Sequence, residues 1–133
     1  MLSREELLHL FDRFSALITQ PDVKNRIADA VNDNQEAVAV TTAIQEEILK
    51  EMGVDPTYGL SCLGKIGMEY ENDQDLMVRF YRFVATEEMA CEEAELGPDE
   101  YPERLQMQQT LHQQARFFYF FYFYFFWLQK LNL

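Results

Sequence analysis

Glu6-Leu7-Leu8-His9 sets a carboxylate and an imidazole three residues apart. That spacing puts both on one helix face, as carboxylate-bridged di-iron bundles do. Such a site needs a second Glu-x-x-His pair and two further carboxylates. The other histidine, His112, has Gln109 at the corresponding position, so the metal set is half missing and His9 is expected at a solvated or half-buried position. Glu71, Asp73 and Asp75 alternate like the oxygen ligands of a calcium loop, but Leu76 stands where the loop requires glycine and no glutamate closes it. Cys62 follows Ser61 in a glycine-rich stretch, and a cysteine nucleophile there would need a histidine beside it. With two histidines in the chain, a small core residue is the expected role. The glycine-rich phosphate loop, the dinucleotide fingerprint and the hydrolase elbow are all missing from the sequence. No catalytic residue, metal ligand or cofactor is assigned, which points to a non-enzymatic protein. An enzyme whose residues this pattern does not reveal is the contrasting reading.

Recognition chemistry is better represented. Phe80 and Tyr81 sit on an aromatic helix that either belongs to the core or lines a groove for a partner's helix. Glu88, Glu92 and Glu93 belong to a carboxylate cluster over residues 87–103, which is either a solvated helix face or a docking surface for a basic partner. These five are the candidate partner-binding residues. The chain has 23 acidic and 11 basic residues, a formal charge of -12, and no Lys/Arg cluster interleaved with aromatics. Phosphate backbones repel such a surface, so nucleic acid is not expected as a partner. Cys62 and Cys91 are too few for a disulfide framework and read as free thiols. Residues 1–20 carry a charged start rather than a continuous apolar segment, so no secretory signal is visible. Both features suggest a reducing compartment, the cytosol or the nucleus.

The elements that must position these residues are helical. Ser3-Arg4-Glu5-Glu6 has the form of a capping box, and Leu7, Leu10, Phe11, Phe14, Leu17 and Ile18 then recur on one face to near Thr19. Pro21 suits the first turn of a second, short helix, with Val23, Ile27, Ala30 and Val31 inward. Asp33 with Glu36 repeats the capping arrangement and is expected to open a third helix. Its stripe is Ala37, Val40, Thr41, Ile44, Ile48 and Met52, with Gly53 as a left-handed cap. The β-branched run 38–42 is compatible with a strand, but the continuous stripe outweighs it. Asp55-Pro56 starts an irregular element with Tyr58, Cys62, Leu63 and Ile66 on its apolar face, interrupted by Gly59, Gly64 and Gly67. Asn72 with Asp75 is expected to open the longest helix, lined by Leu76, Phe80, Phe83, Val84, Glu87, Ala90, Cys91 and Ala94 as far as Gly97-Pro98. A last helix over residues 99–114 has few apolar points and many glutamines.

Residues 117–128 contain seven of the eleven Phe, three of the seven Tyr and the only Trp. Twelve such residues are too few to span a bilayer, which takes about 20, although aromatic side chains are at home in a bilayer interface. Phe and Tyr codons are rich in thymine, so translated intron from an alternative transcript accounts for the composition. The run is an aggregation liability. Cutting after Gln114 is expected to leave helicity and thermal stability nearly unchanged while improving solubility.

The sequence Gln45-Glu46-Glu47-Ile48-Leu49-Lys50-Glu51-Met52-Gly53, together with Phe80-Tyr81-Arg82-Phe83-Val84, resembles a plant family of uncharacterised helical proteins. In that family the glutamine-rich helix continues beyond the position of Gln114. A looser similarity is to the BART-type domain, a helical module that binds small Arf-like GTPases. It rests on the acidic Asn/Asp break before the helix ending at Met52 and on the aromatic helix that ends in Glu87-Glu88-Met89.

The fold expected is therefore all-α. It is an irregular bundle of five or six helices forming one domain over residues 1–114, with the first, third and longest helices supplying most of the core and an aromatic C-terminal tail, residues 115–133, outside it. The runner-up is a helical cap on a longer coiled-coil protein. The expected function is that of an interaction module binding protein partners through a helix groove or the acidic face. A small-GTPase binder and a truncated splice product without an independent role are the alternatives.

Overall fold

The computed structural model describes residues 1–97. The last helix over residues 99–114, the domain boundary at Gln114 and the aromatic tail lie outside the described residues, as does the far end of the carboxylate cluster. The described residues form six helices and no strand: α1 (Arg4–Ile18), α2 (Pro21–Asn32), α3 (Ala37–Glu51), α4 (Pro56–Leu63), α5 (Ile66–Glu69) and α6 (Gln74–Leu96).

Local chemistry starts α1, α2 and α4 where the sequence places them. The Ser3 hydroxyl accepts the Glu6 amide at 3.1 Å while the Glu6 carboxylate accepts the Ser3 amide at 3.0 Å, a reciprocal capping box. Asp55 caps α4 by accepting the Tyr58 amide at 2.9 Å, with Pro56 in the first turn. Gly64, the C-cap of α4, separates the irregular element into α4 and a single-turn α5, whereas Gly59 and Gly67 lie inside those helices and do not interrupt them.

Two of the expected helix starts are corrected. Asp33 does not open α3; it is the last cap of α2, and Glu36 takes the N-cap position of α3. The reason is Asn34, which adopts φ 64°. In that left-handed turn the Gln35 amide reaches back to the Ala30 carbonyl at 2.9 Å and the Asn34 amide to the Val31 carbonyl at 3.0 Å, so the Asn/Asp break closes a helix before it opens one. The same pair of bonds ends α3, where Gly53 has φ 76° and the Val54 amide reaches Leu49. The longest helix is capped by Asp73, not Asn72: the Asp73 carboxylate accepts the Leu76 amide at 3.0 Å.

Tertiary pairings give the directions. Arg4 bonds Asp73 near the starts of α1 and α6, and Phe11 stacks on Phe80 seven residues further along each, so the two helices run parallel. Thr41 pairs with Cys91 and Gln45 with Glu87, one number rising as the other falls, so α3 runs antiparallel to α6. Helix α2 packs against both α3 and α6, and α4 against α3.

Helices α1, α3 and α6 supply most of the buried apolar side chains. Between α1 and α6 lies an aromatic cluster. Phe11 and Phe83 have ring centroids 4.8 Å apart, and Phe14 meets Phe83 edge-on at 5.0 Å. Each pair in such geometry adds about 0.5–1.5 kcal/mol beyond its area. Gly59 lets α4 approach α3 closely, since a Cβ there would sit 2.6 Å from the Leu49 methyls.

Candidate functional site

The five candidate partner-binding residues are dispersed by the fold. Phe80 is fully buried, at 0% exposure, and its ring is committed to the aromatic core. It therefore presents no surface to a partner, because at its position on α6 the facing helix is α1 and not solvent. Tyr81, Glu88 and Glu92 are half-buried. Glu93 is half-buried as well and lines a cleft.

That cleft runs between α2 and α6 and has a volume of about 500 Å³. Its apolar lining is Ile27 and Ala28 from α2 with Ala90 and Ala94 from α6. Ile27 is the single fully buried residue of α2; the small side chains opposite leave space that a larger pair would fill. Lys24 and Glu93 stand in the lining and pair across it, Nζ to Oε1 at 3.4 Å. Four helix ends also line it: Thr19, the C-cap of α1; Pro21 and Asn32, the first and last residues of α2; and Gly97, the C-cap of α6. The sequence places Ala90 and Ala94 on the inner face of α6, but Ala28, Lys24 and the helix ends carry no signal of their own. Their role arises from the α2/α6 pairing, which no periodicity encodes.

A second polar locus lies between α3 and α6. Glu87 is buried at 2% exposure and accepts a hydrogen bond from the Gln45 side-chain amide, itself at 0%. Glu87 thus lies on the inner stripe of α6 where the helical period places it, in register with Phe80, Phe83 and Cys91, and is not part of a solvated carboxylate face. The Gln45 carbonyl oxygen has no hydrogen-bond partner. One turn away the Thr41 hydroxyl lies 3.9 Å from the Cys91 sulfur. Burial first, then the charge of Glu87, pushes the Cys91 thiol far above its usual range. A nucleophilic cysteine needs the opposite shift.

The residues with metal-like spacing have other partners. Glu6 is engaged in its capping box and His9 is exposed. Asp73 and Asp75 both bind Arg4, each at 2.8 Å, and Asp75 also faces Arg79 at 3.3 Å. Among the described residues no group of three or more His, Cys, Asp or Glu is placed to hold a metal ion. Cys62 and Cys91 are free and buried. A hydrogen bond with Cys62 is the main reason the Tyr58 phenol is raised above its ordinary range. Among the described residues no helix is long and apolar enough to cross a membrane.

Comparisons of the chain with protein families, with curated proteins and with solved structures found no match.

Proposed function

We propose that this protein is a non-enzymatic interaction module of the cytosol or nucleus that docks protein partners through the cleft between α2 and α6. The observation that carries the reading is the cleft itself: about 500 Å³ of open space with an apolar lining of small side chains and a polar rim. That combination of apolar centre and polar surround is the anatomy of a recognition site. The formal charge of -12 favours a basic partner and speeds its encounter. The two free thiols suit a reducing compartment.

Filling the cleft tests this directly. The full chain and its Ala94→Trp variant are each immobilised and used to capture proteins from cell extract, with mass spectrometry as the readout. The expected result is a reproducible set of proteins recovered by the full chain and depleted at least fivefold on the variant. Recovery of the same set in equal amounts by both would overturn the cleft as the docking site, and recovery of nothing by either would overturn the interaction module.

A further inference from the structure

Helix α6 ends in the wall of the cleft. Its C-cap, Gly97, is part of the lining and takes φ 79° and ψ 178°, a backbone region that only glycine adopts without strain. Pro98 follows, and proline cannot extend a helix. The chain therefore leaves the axis of α6 at the cleft itself, and residues 98–133 start from there. A segment tethered so closely is presented to the cleft at an effective concentration of about millimolar before any contact is made.

Reach and chemistry both select one stretch of that chain. The wall from Gly97 back to Ala90 covers roughly 10 Å of helix, and the chain from Gly97 to Leu105 extends up to roughly 26 Å, so residues from Leu105 onward reach every part of the cleft. Residues 105–115, Leu-Gln-Met-Gln-Gln-Thr-Leu-His-Gln-Gln-Ala, hold no Asp, Glu, Lys or Arg in a chain of formal charge -12. The cleft is equally neutral. Lys24 and Glu93 pair across it at 3.4 Å, and its helix ends are of both signs, with Pro21 at the start of α2 and Asn32 at its end. Such a lining offers a charged segment nothing to offset the loss of its hydration, whereas an uncharged one with long apolar side chains loses little. In the helix expected over residues 99–114, Met107 and Leu111 stand four apart and share a face. Large side chains there complement the small Ala28, Ala90 and Ala94 of the lining. The aromatic run is uncharged too, but it begins only at Phe117 and its longer loop costs more entropy to close.

From this we infer that the chain's own residues 105–115 occupy the α2/α6 cleft through Met107 and Leu111, so that a partner docks there by displacing them. The displacement rests on the cleft being the docking site; the occupancy does not.

The test is disulfide cross-linking in the full chain. Cys62 and Cys91 stay in place because both are buried, and products are mapped by peptide mass. Gln108→Cys, beside Met107, is combined either with Asn25→Cys, an exposed position in the cleft lining, or with Glu69→Cys, an exposed position on α5 outside it. Under mild oxidation the pair with Asn25→Cys is expected to close within single chains at least tenfold faster than the pair with Glu69→Cys. Adding Ala94→Trp, which fills the cleft, should remove that advantage. Equal rates for the two pairs, or an advantage that survives Ala94→Trp, would overturn the inference. So would faster closure of Asn25→Cys with Tyr122→Cys than with Gln108→Cys, or a product joining two chains, since the occupant would then be the aromatic run or a second copy. No partner is present in these reactions, so they judge the segment alone, and the capture comparison judges the docking site.

Discussion

Helix α6 is held by two unlike seams on one continuous buried face. Against α1 its first half packs Phe80 and Phe83 onto Phe11 and Phe14, a wholly apolar contact. Against α3 its second half sets Glu87 and Cys91 onto Gln45 and Thr41, polar groups sealed to within a few per cent of complete burial. The aromatic seam gains from every atom removed from water and tolerates small shifts of the rings. The polar seam gains only if its donors and acceptors meet, because desolvating an amide or carboxylate costs more than one hydrogen bond returns. The first seam therefore supplies stability and the second fixes how α3 and α6 align.

The sharpest way to break this contrast is to remove a ring. Phe83→Ala should cost about 3–5 kcal/mol by urea denaturation, a large part of the 5–15 kcal/mol typical of a domain. A loss below about 1 kcal/mol would show that the aromatic cluster is not the main support of α6.

In the polar seam, Glu87→Leu should cost about 1–3 kcal/mol because the Gln45 amide is left buried without an acceptor. Replacing both, Gln45→Leu with Glu87→Leu, should recover most of that loss, since neither polar group then remains to be desolvated. A double variant as unstable as the sum of the singles would mean the two side chains are not coupled.

The thiol offers a probe of the same seam without altering its energy. In a Cys62→Ala background at pH 8, Cys91 should react with a thiol reagent at least a hundredfold more slowly than it does in denaturant. Both its burial and its raised thiol pKa work in that direction. Native-state labelling as fast as in denaturant would place the end of α6 in frequent opening.

The smallest effect belongs to the start of α6, where the Arg4 guanidinium first, and the Leu76 amide second, hold the Asp73 carboxyl below its usual range. A depressed folded-state pKa contributes stability at pH values above the unfolded value, near 4 for Asp, and loses it as pH falls through the folded one. Stability measured from pH 7 down to pH 2 should therefore decline less for Asp73→Asn, which keeps the cap but drops the charge. Identical declines would mean Asp73 contributes nothing to acid sensitivity.

Much of the fold was legible because its cues are local. The Ser3 capping box, the Asp55-Pro56 start, the left-handed Gly53 and the stripes of α1, α3 and α6 each depend on residues within a few positions of one another, and the structure keeps them. The misassigned starts near Asp33 and Asn72 show the limit of those cues. Asn and Asp serve equally at the end of one helix and the beginning of the next, and only the left-handed turn at Asn34 decides which. The candidate site was less legible: of Phe80, Tyr81, Glu88, Glu92 and Glu93, periodicity gave the helix face but not the neighbour across from it. The parallel packing of α6 on α1 buried Phe80.

By itself, then, the sequence determined an all-α chain, the bounds of α1, α2 and α6 to within a residue or two, and the faces that turn inward, because helical period and caps are short-range properties of the backbone. Tertiary structure alone decided that Glu87 meets Gln45 and that Ala28, Ala90 and four helix ends surround one cleft. Those are consequences of which helices meet and in which direction, and such contacts join residues some forty to eighty positions apart that share no local signal.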